Sequence, residues 1–160
     1  MDRPDWQLRE SNWLLQLGVG LLLFGMLLGL LLGANIGVFS TPLFGLSAHL
    51  IALLEGFFLL LIGLLWVKLK LTRTASRIAF WTTLYSCLGD SLASGLAGIW
   101  GAGKAMPIAA RSATGAPEHE VFIQVSFYTV AATTITALAF ILWGLCAAAK
   151  EQHADQTKHQ

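Results

Sequence analysis

The chain has 160 residues, 56% hydrophobic and 12% charged, with a mean hydropathy of +0.67 and a formal net charge of +1. That balance lies outside the range of ordinary soluble domains and places the chain among membrane proteins. With no block of like charge, it lacks the electrostatic footprint of a nucleic-acid binder, and no nucleic acid is expected as a partner.

In chain order, four apolar stretches are each long enough, at roughly 20 residues, to cross bilayer hydrocarbon. They fall at about 12–34, 46–67, 76–100 and 121–147. They predict an all-α fold, a four-transmembrane-helix bundle forming one domain over 1–150, followed by a polar, frayed tail at 151–160. The first stretch is too long for the apolar part of a signal peptide, and Asp2, Asp5 and Glu10 dilute its positive flank, so it reads as a retained helix. Gly33 to Gly45, with Pro42, and Lys68 to Arg77 read as short turns. Gly101 to Glu120, containing Gly, Pro, Ser and Thr, reads as a partly structured loop over a membrane surface.

Basic residues orient these spans, because short loops rich in Lys and Arg stay cytoplasmic. Arg3, Arg9, Lys68, Lys70, Arg73, Arg77, Lys150 and Lys158 share the side of the termini, while Lys104 and Arg111 stand on the other. Both termini are therefore expected in the cytoplasm, with the protein in a bacterial-type inner membrane. Trp13, Trp66, Trp81 and Trp143 toward the inner boundary, and Trp100 toward the outer one, agree with this placement. Gly18, Gly25, Gly29 and Gly33 in the first span, and Gly95, Gly98 and Gly101 late in the third, predict close helix contacts within the bundle or between copies. Cys87 and Cys146 sit in apolar segments without CxxC spacing and read as packing residues.

Ionisable groups inside a span are expensive and mark a site. The second span, SAHLIALLEGFF from Ser47, carries His49 and Glu55, and the third carries Asp90 with Ser86 and Ser94 four residues to either side. Counted from the outer ends, Glu55 and Asp90 should lie at similar depth on antiparallel helices. As a neighbouring pair, one carboxyl should hold a proton while the other is ionised, an acid beside a base. His49 lies about 9 Å above Glu55 and about 120° around the helix, so the two can border one pocket without sharing a stripe. One His cannot build a zinc site, but it can occupy one axial position on a haem iron in an apolar slot between helices. His119, at the outer entrance to the last span, reads as a solvated loop residue. A small-molecule or proton transporter using the mid-membrane carboxylates is the alternative that these residues also allow.

GLSAHL at 45–50, Glu55–Gly56, WGAG at 100–103, MPIA at 106–109 and the LWGL around Trp143 resemble the hydroxylaminobenzene mutase family of four-span membrane proteins. The resemblance covers roughly residues 41–146. It implies an isomerase that converts an N-arylhydroxylamine to a 2-aminophenol by a Bamberger-type hydroxyl transfer, without redox equivalents. Ala48–His49 followed six residues later by a polar side chain is also similar to the membrane-bound styrene oxide isomerases. That likeness implies haem b ligated by His49, with ferric iron as Lewis acid, and a homotrimer with cofactor sites between neighbouring subunits. Here Glu55 stands where those isomerases have Asn, and a carboxyl can give a proton where an amide cannot. On this reading Glu55, Asp90 and Ser94 are catalytic, His49 is the metal ligand, and Lys104 and Arg111 pair with haem propionates.

Overall fold

The computed structural model describes residues 4–34, 37–110 and 113–158. Helix α1 spans Asp5–Gly33, α2 Pro42–Trp66, α3 Arg73–Trp100, the single turn α4 Pro107–Ala110, and α5 Pro117–Lys158. Among the described residues there is no strand. The expected all-α class holds, and α1, α2 and α5 are long and apolar enough to cross a membrane. Helix α3, 28 residues long, is less apolar because Thr82, Thr83, Ser86, Asp90, Ser91 and Ser94 interrupt it.

α1 starts seven residues ahead of the apolar stretch expected from position 12, and its polar first turns are anchored rather than frayed. Gln7 Nε2 donates to the Trp66 and Leu69 carbonyls at 2.8 and 3.0 Å, and Ser11 Oγ donates to the Gly63 carbonyl at 2.8 Å. These are carbonyls at and beyond the end of α2, which a helix leaves without intrahelical partners. Pro42 opens α2 at a position where its missing N–H costs nothing. Thr72 caps α3, its Oγ1 accepting from the Ala75 N–H at 3.3 Å, and α3 stops at Gly101 in the left-handed conformation, φ 66°. The tail expected to fray continues α5 instead: after Gly144 no Gly or Pro interrupts the chain before Lys158. An exposed ion pair, Lys70 Nζ to Glu151 at 3.1 Å, stands beside it.

Each long helix packs on its neighbour in the chain: α1 on α2, α2 on α3, α3 on α5. α1 also touches α3, but among the described residues α1 and α5 do not meet. The four helices form an open row rather than a closed square.

The α1–α2 seam is built from glycine. A Cβ at Gly18 would lie 3.0 Å from the Gly56 carbonyl, and one at Gly56 would lie 3.0 Å from the Gly18 carbonyl, so the two backbones approach with no side chain between them. Gly25 and Gly29 continue the seam, as the spacing predicts, whereas Gly33 and Gly95 have open space around them. Gly98 brings α3 against Phe39 and Phe44.

One core cluster runs through Leu14, Leu21, Leu59, Trp66, Phe80, Leu84 and Ile141, and a smaller one joins Ala93, Ala97, Ala102 and Ile123 between α3 and α5. Trp66 departs from the expected boundary belt. It is fully buried, its Nε1–H donating to Glu10 Oε2 at 3.0 Å, and Ser76 Oγ donates to the same oxygen at 2.7 Å. Trp13, Trp81 and Trp143 are exposed, as a belt requires.

Candidate active site

His49 projects from the first turns of α2 toward α1. Its Nδ1 lies 2.6 Å from the Gly25 carbonyl oxygen. A carbonyl can only accept, so Nδ1 carries the hydrogen and donates it, which leaves the Nε2 lone pair free. The ring lies against α1 at Gly29, where a Cβ would stand 2.7 Å from Cε1 and 2.9 Å from Nδ1. Glycine at 29 is thus the condition for seating this imidazole. Helices α1 and α2 together fix the tautomer and the orientation of the ring, as second partners do for metal-binding histidines.

Glu55 points the other way, toward α3. Its carboxyl lies within electrostatic range of Cys87 and Asp90 on that helix. The two carboxylates stand on the packed helices α2 and α3. Cys87 is fully buried in the larger core cluster, the packing role its apolar surroundings predict. Ser86 Oγ is satisfied locally by the Thr83 carbonyl at 2.9 Å. Ser94 Oγ and Ser91 Oγ are buried with no hydrogen-bond partner among the described residues. An unpaired buried hydroxyl costs free energy unless something else meets it, and Ser91 and Ser94 carry that cost here.

Six residues of helix separate His49 from Glu55, about 9 Å of rise and about 120° of turn. The structure gives the two side chains different neighbours, α1 for His49 and α3 for Glu55. Glu55 acts electrostatically on Asp90 across α2 and α3, while the hydrogen bond His49 makes among the described residues runs to α1.

Lys104 is exposed, and its charge faces the Glu120 carboxylate. Arg111 lies outside the described residues. Among the described residues no three His, Cys, Asp or Glu side chains gather around a common point.

Sequence reasoning missed Glu120. This carboxylate is 3% exposed and accepts backbone N–H bonds from Gly103 at 3.0 Å, Lys104 at 2.9 Å and Gly115 at 2.8 Å. It stands ahead of the apolar run that begins at Val121. Burial pushes its carboxyl up, but the three N–H donors and Lys104 outweigh burial and hold it below the ordinary carboxylate range. It ties the 101–116 segment to the start of α5. The available signal was the glycine at 103 and at 115, where backbone must pass close to another group: a Cβ at Gly103 would collide with Ala110 and the Ala113 carbonyl. Beside it, His119 is not a free loop residue. Its ring stacks on Trp100, centroids 4.2 Å apart and planes 12° from parallel, because α5 starts directly under the end of α3.

The profile of the family described as styrene oxide isomerase matches residues 10–146. The hydroxylaminobenzene mutase HabB of Ectopseudomonas oleovorans is 40% identical over 153 residues, covering 95% of this chain and 91% of that protein. The hydroxylaminobenzene mutase HabA of the same organism is 33% identical over 127 residues, 79% of this chain and 93% of that protein. No solved structure matches the chain significantly. The match begins at Glu10, within the buried foot of α1, and ends at Cys146 on α5, so it takes in both the His49 seat and the Glu55–Asp90 pair. The chain belongs to the styrene oxide isomerase family and is an isomerase, related over nearly its whole length to the hydroxylaminobenzene mutases.

Proposed function

We propose that this protein converts N-arylhydroxylamines to 2-aminophenols inside the cell membrane. The observation that carries the substrate class is the 40% identity to HabB over 95% of the chain. In the reaction the N–O bond breaks, the oxygen returns to the ortho carbon, and that carbon gives up its proton. Atoms and electrons balance within one molecule, and no redox partner is consumed.

Hydroxide is a poor leaving group, so the departing oxygen needs a proton or a metal. Glu55 and Asp90, on facing helices, supply an acid and a base: one carboxyl protonates the departing oxygen, and the other carboxylate takes the ortho proton. Once bonded to the ortho carbon, the oxygen gives its added proton back to the first carboxylate, and the ortho proton passes from the second carboxyl to the nitrogen, which becomes the amine, so the pair is regenerated. The unpartnered Ser94 hydroxyl orients the hydroxylamino group. Apolar walls exclude bulk water, which favours return of the oxygen to the near ortho carbon over attack by solvent at the para carbon.

His49 fits a haem b ligand. Its Nδ1 hydrogen is committed to the Gly25 carbonyl, its Nε2 is free, and haem needs only one such protein ligand. Bound there, ferric haem supplies Lewis acidity toward the hydroxylamino oxygen. Lys104 and Arg111 are the residues assigned to its propionates. Because His49 and Glu55 face different neighbours in one chain, this reading places each site between subunits of a homotrimer. The open row of helices leaves room for that. All four long helices then span the inner membrane, α3 with its polar face inward, and the basic residues hold both termini in the cytoplasm.

The separation of His49 from the carboxylates favours one second reading, a small-molecule or proton transporter that uses Glu55 and Asp90 alone. A single experiment divides them: the detergent-purified protein is given phenylhydroxylamine, and its visible spectrum is recorded alongside that of His49→Ala. Formation of 2-aminophenol with a Soret band that disappears in the variant is the expected result. Turnover without a band removes haem and leaves the carboxylate pair as the catalyst. No turnover and no band brings the transporter forward.

A further inference from the structure

The inner end of α1 and the first turns of α3 face each other across a groove of about 270 Å³, lined by Trp6, Arg9, Glu10, Trp13, Arg73, Arg77 and Phe80. On α1 the lining residues fall at positions i, i+3, i+4 and i+7, and on α3 at i, i+4 and i+7, so each helix presents one continuous stripe. Three guanidinium groups share this groove with one carboxylate. That carboxylate is already engaged: Glu10 Oε2 accepts from Trp66 Nε1 at 3.0 Å and from Ser76 Oγ at 2.7 Å, turning the charge into the protein. Among the described residues none of the three arginines has a carboxylate oxygen within ion-pair distance. Among the described residues the one ion pair is Lys70 with Glu151, elsewhere on the surface.

Three positive charges around a single carboxylate leave an excess of two, and they repel one another unless an anion bridges them. Arginine is the side chain best shaped for that task, because its planar fork meets phosphate oxygens two at a time. The remaining lining is aromatic. Trp13 is exposed, Trp6 is half-buried and Phe80 forms the floor, an arrangement that suits the glycerol and ester region of a lipid at a membrane boundary. A freely soluble phosphate would use the guanidinium groups but leave these rings without a partner.

We propose that this groove is a specific site for an anionic phospholipid of the leaflet on the side of the termini, with the phosphodiester between Arg9, Arg73 and Arg77 and the glycerol against Trp13 and Phe80. Bound there, the lipid clamps the foot of α1 to the start of α3, the two helices that otherwise meet only lightly.

The test is native mass spectrometry of the full-length protein in neutral detergent, titrated with phosphatidylglycerol or phosphatidylcholine. Wild type should retain phosphatidylglycerol in preference to phosphatidylcholine. Arg73→Gln/Arg77→Gln should weaken it roughly 30-fold, about fivefold for each basic residue removed at a membrane surface. Lys68→Gln/Lys150→Gln removes two positive charges from the same end outside the groove and should leave the affinity unchanged. Should the arginine double variant fail to fold, as judged by circular dichroism and gel filtration, Arg9→Gln alone carries the comparison, with about a fivefold loss. Equal losses in the arginine and lysine variants would reduce the site to general surface charge and overturn the proposal. So would an unchanged affinity in the arginine variants. Displacement of phosphatidylglycerol by millimolar inorganic phosphate would assign the groove to soluble phosphate instead.

Discussion

Replacing Gly29 with alanine places one methyl group against the His49 imidazole. The new Cβ would stand 2.7 Å from Cε1, 2.9 Å from Nδ1 and 3.3 Å from Nε2, whereas carbon atoms in contact prefer about 3.5–4.0 Å. Overfilling of this kind costs about 1–3 kcal/mol. The obstructed atoms belong to a rotatable side chain, so the ring gives way before the α1 backbone does. The cost then sits near the low end, about 1 kcal/mol, plus about 1 kcal/mol for the Nδ1–H bond to Gly25, which cannot survive a displacement approaching 1 Å. The functional loss should be larger: removing the second partner of a metal-binding histidine typically costs about 10–100-fold in affinity or activity. Two assays read it independently. Formation of 2-aminophenol from phenylhydroxylamine reports turnover, and nitrogen-15 spectra of histidine-labelled protein report whether the His49 signal, identified by its loss in His49→Ala, keeps its Nδ1–H tautomer. Gly20→Ala, on the same helix with nothing within 4 Å, is the control. It should leave both readouts unchanged and strengthen the helix by up to about 1 kcal/mol. A Gly29→Ala protein with wild-type turnover and an unaltered tautomer would refute the seating of His49 on α1.

Three further changes test the rest of the framework. Glu120→Ala strands three backbone N–H donors and should cost about 2–4 kcal/mol in detergent unfolding, with new proteolysis within 101–116. Because the folded Glu120 carboxyl lies below its ordinary value of 4.5, its contribution is complete above that pH and disappears as the pH falls through the lower folded value. Below about pH 4.5 the wild type should therefore lose stability more steeply than Glu120→Gln. Glu10→Ala removes the shared acceptor of Trp66 and Ser76, both buried, and should cost about 2–4 kcal/mol by the same measurement. Ser94→Ala removes an unpaired hydroxyl, so stability should hold or rise, while turnover should fall about tenfold as one hydrogen bond to the substrate is lost; unchanged turnover would leave Ser94 without a role in the reaction.

The residues that stood out in the sequence did so because lipid is a poor solvent for charge. His49, Glu55 and Asp90 interrupt apolar runs, and the depth argument that paired Glu55 with Asp90 needed only helix rise and antiparallel direction. Glycine periodicity revealed the α1–α2 seam but not that Gly29 faces a histidine, since spacing identifies a face without identifying what meets it. Glu10, Trp66 and Ser76 were out of reach because they lie 56 and 66 residues apart and meet only at the folded inner end. The start of α1 was hidden because its first turns are polar, and their partners are carbonyls on another helix. Glu120 was overlooked because an acid beside a glycine-rich loop ordinarily points to water. The open row was invisible for a more general reason: apolar faces state that a helix has neighbours, not which of the other helices it avoids.

The gap between α1 and α5 bears on how such an enzyme is fed. On the function proposed above, the reactants are small arylhydroxylamines that dissolve in hydrocarbon, so a molecule whose flanks lie open to the acyl chains can take its reactant sideways from the bilayer instead of through a mouth facing water. The concentration it responds to is then the one in the lipid phase, fixed by partitioning and by the amount of membrane present. At a constant total amount of reactant, diluting the protein into more lipid or detergent lowers that concentration, and the apparent KM rises in proportion although no residue has changed.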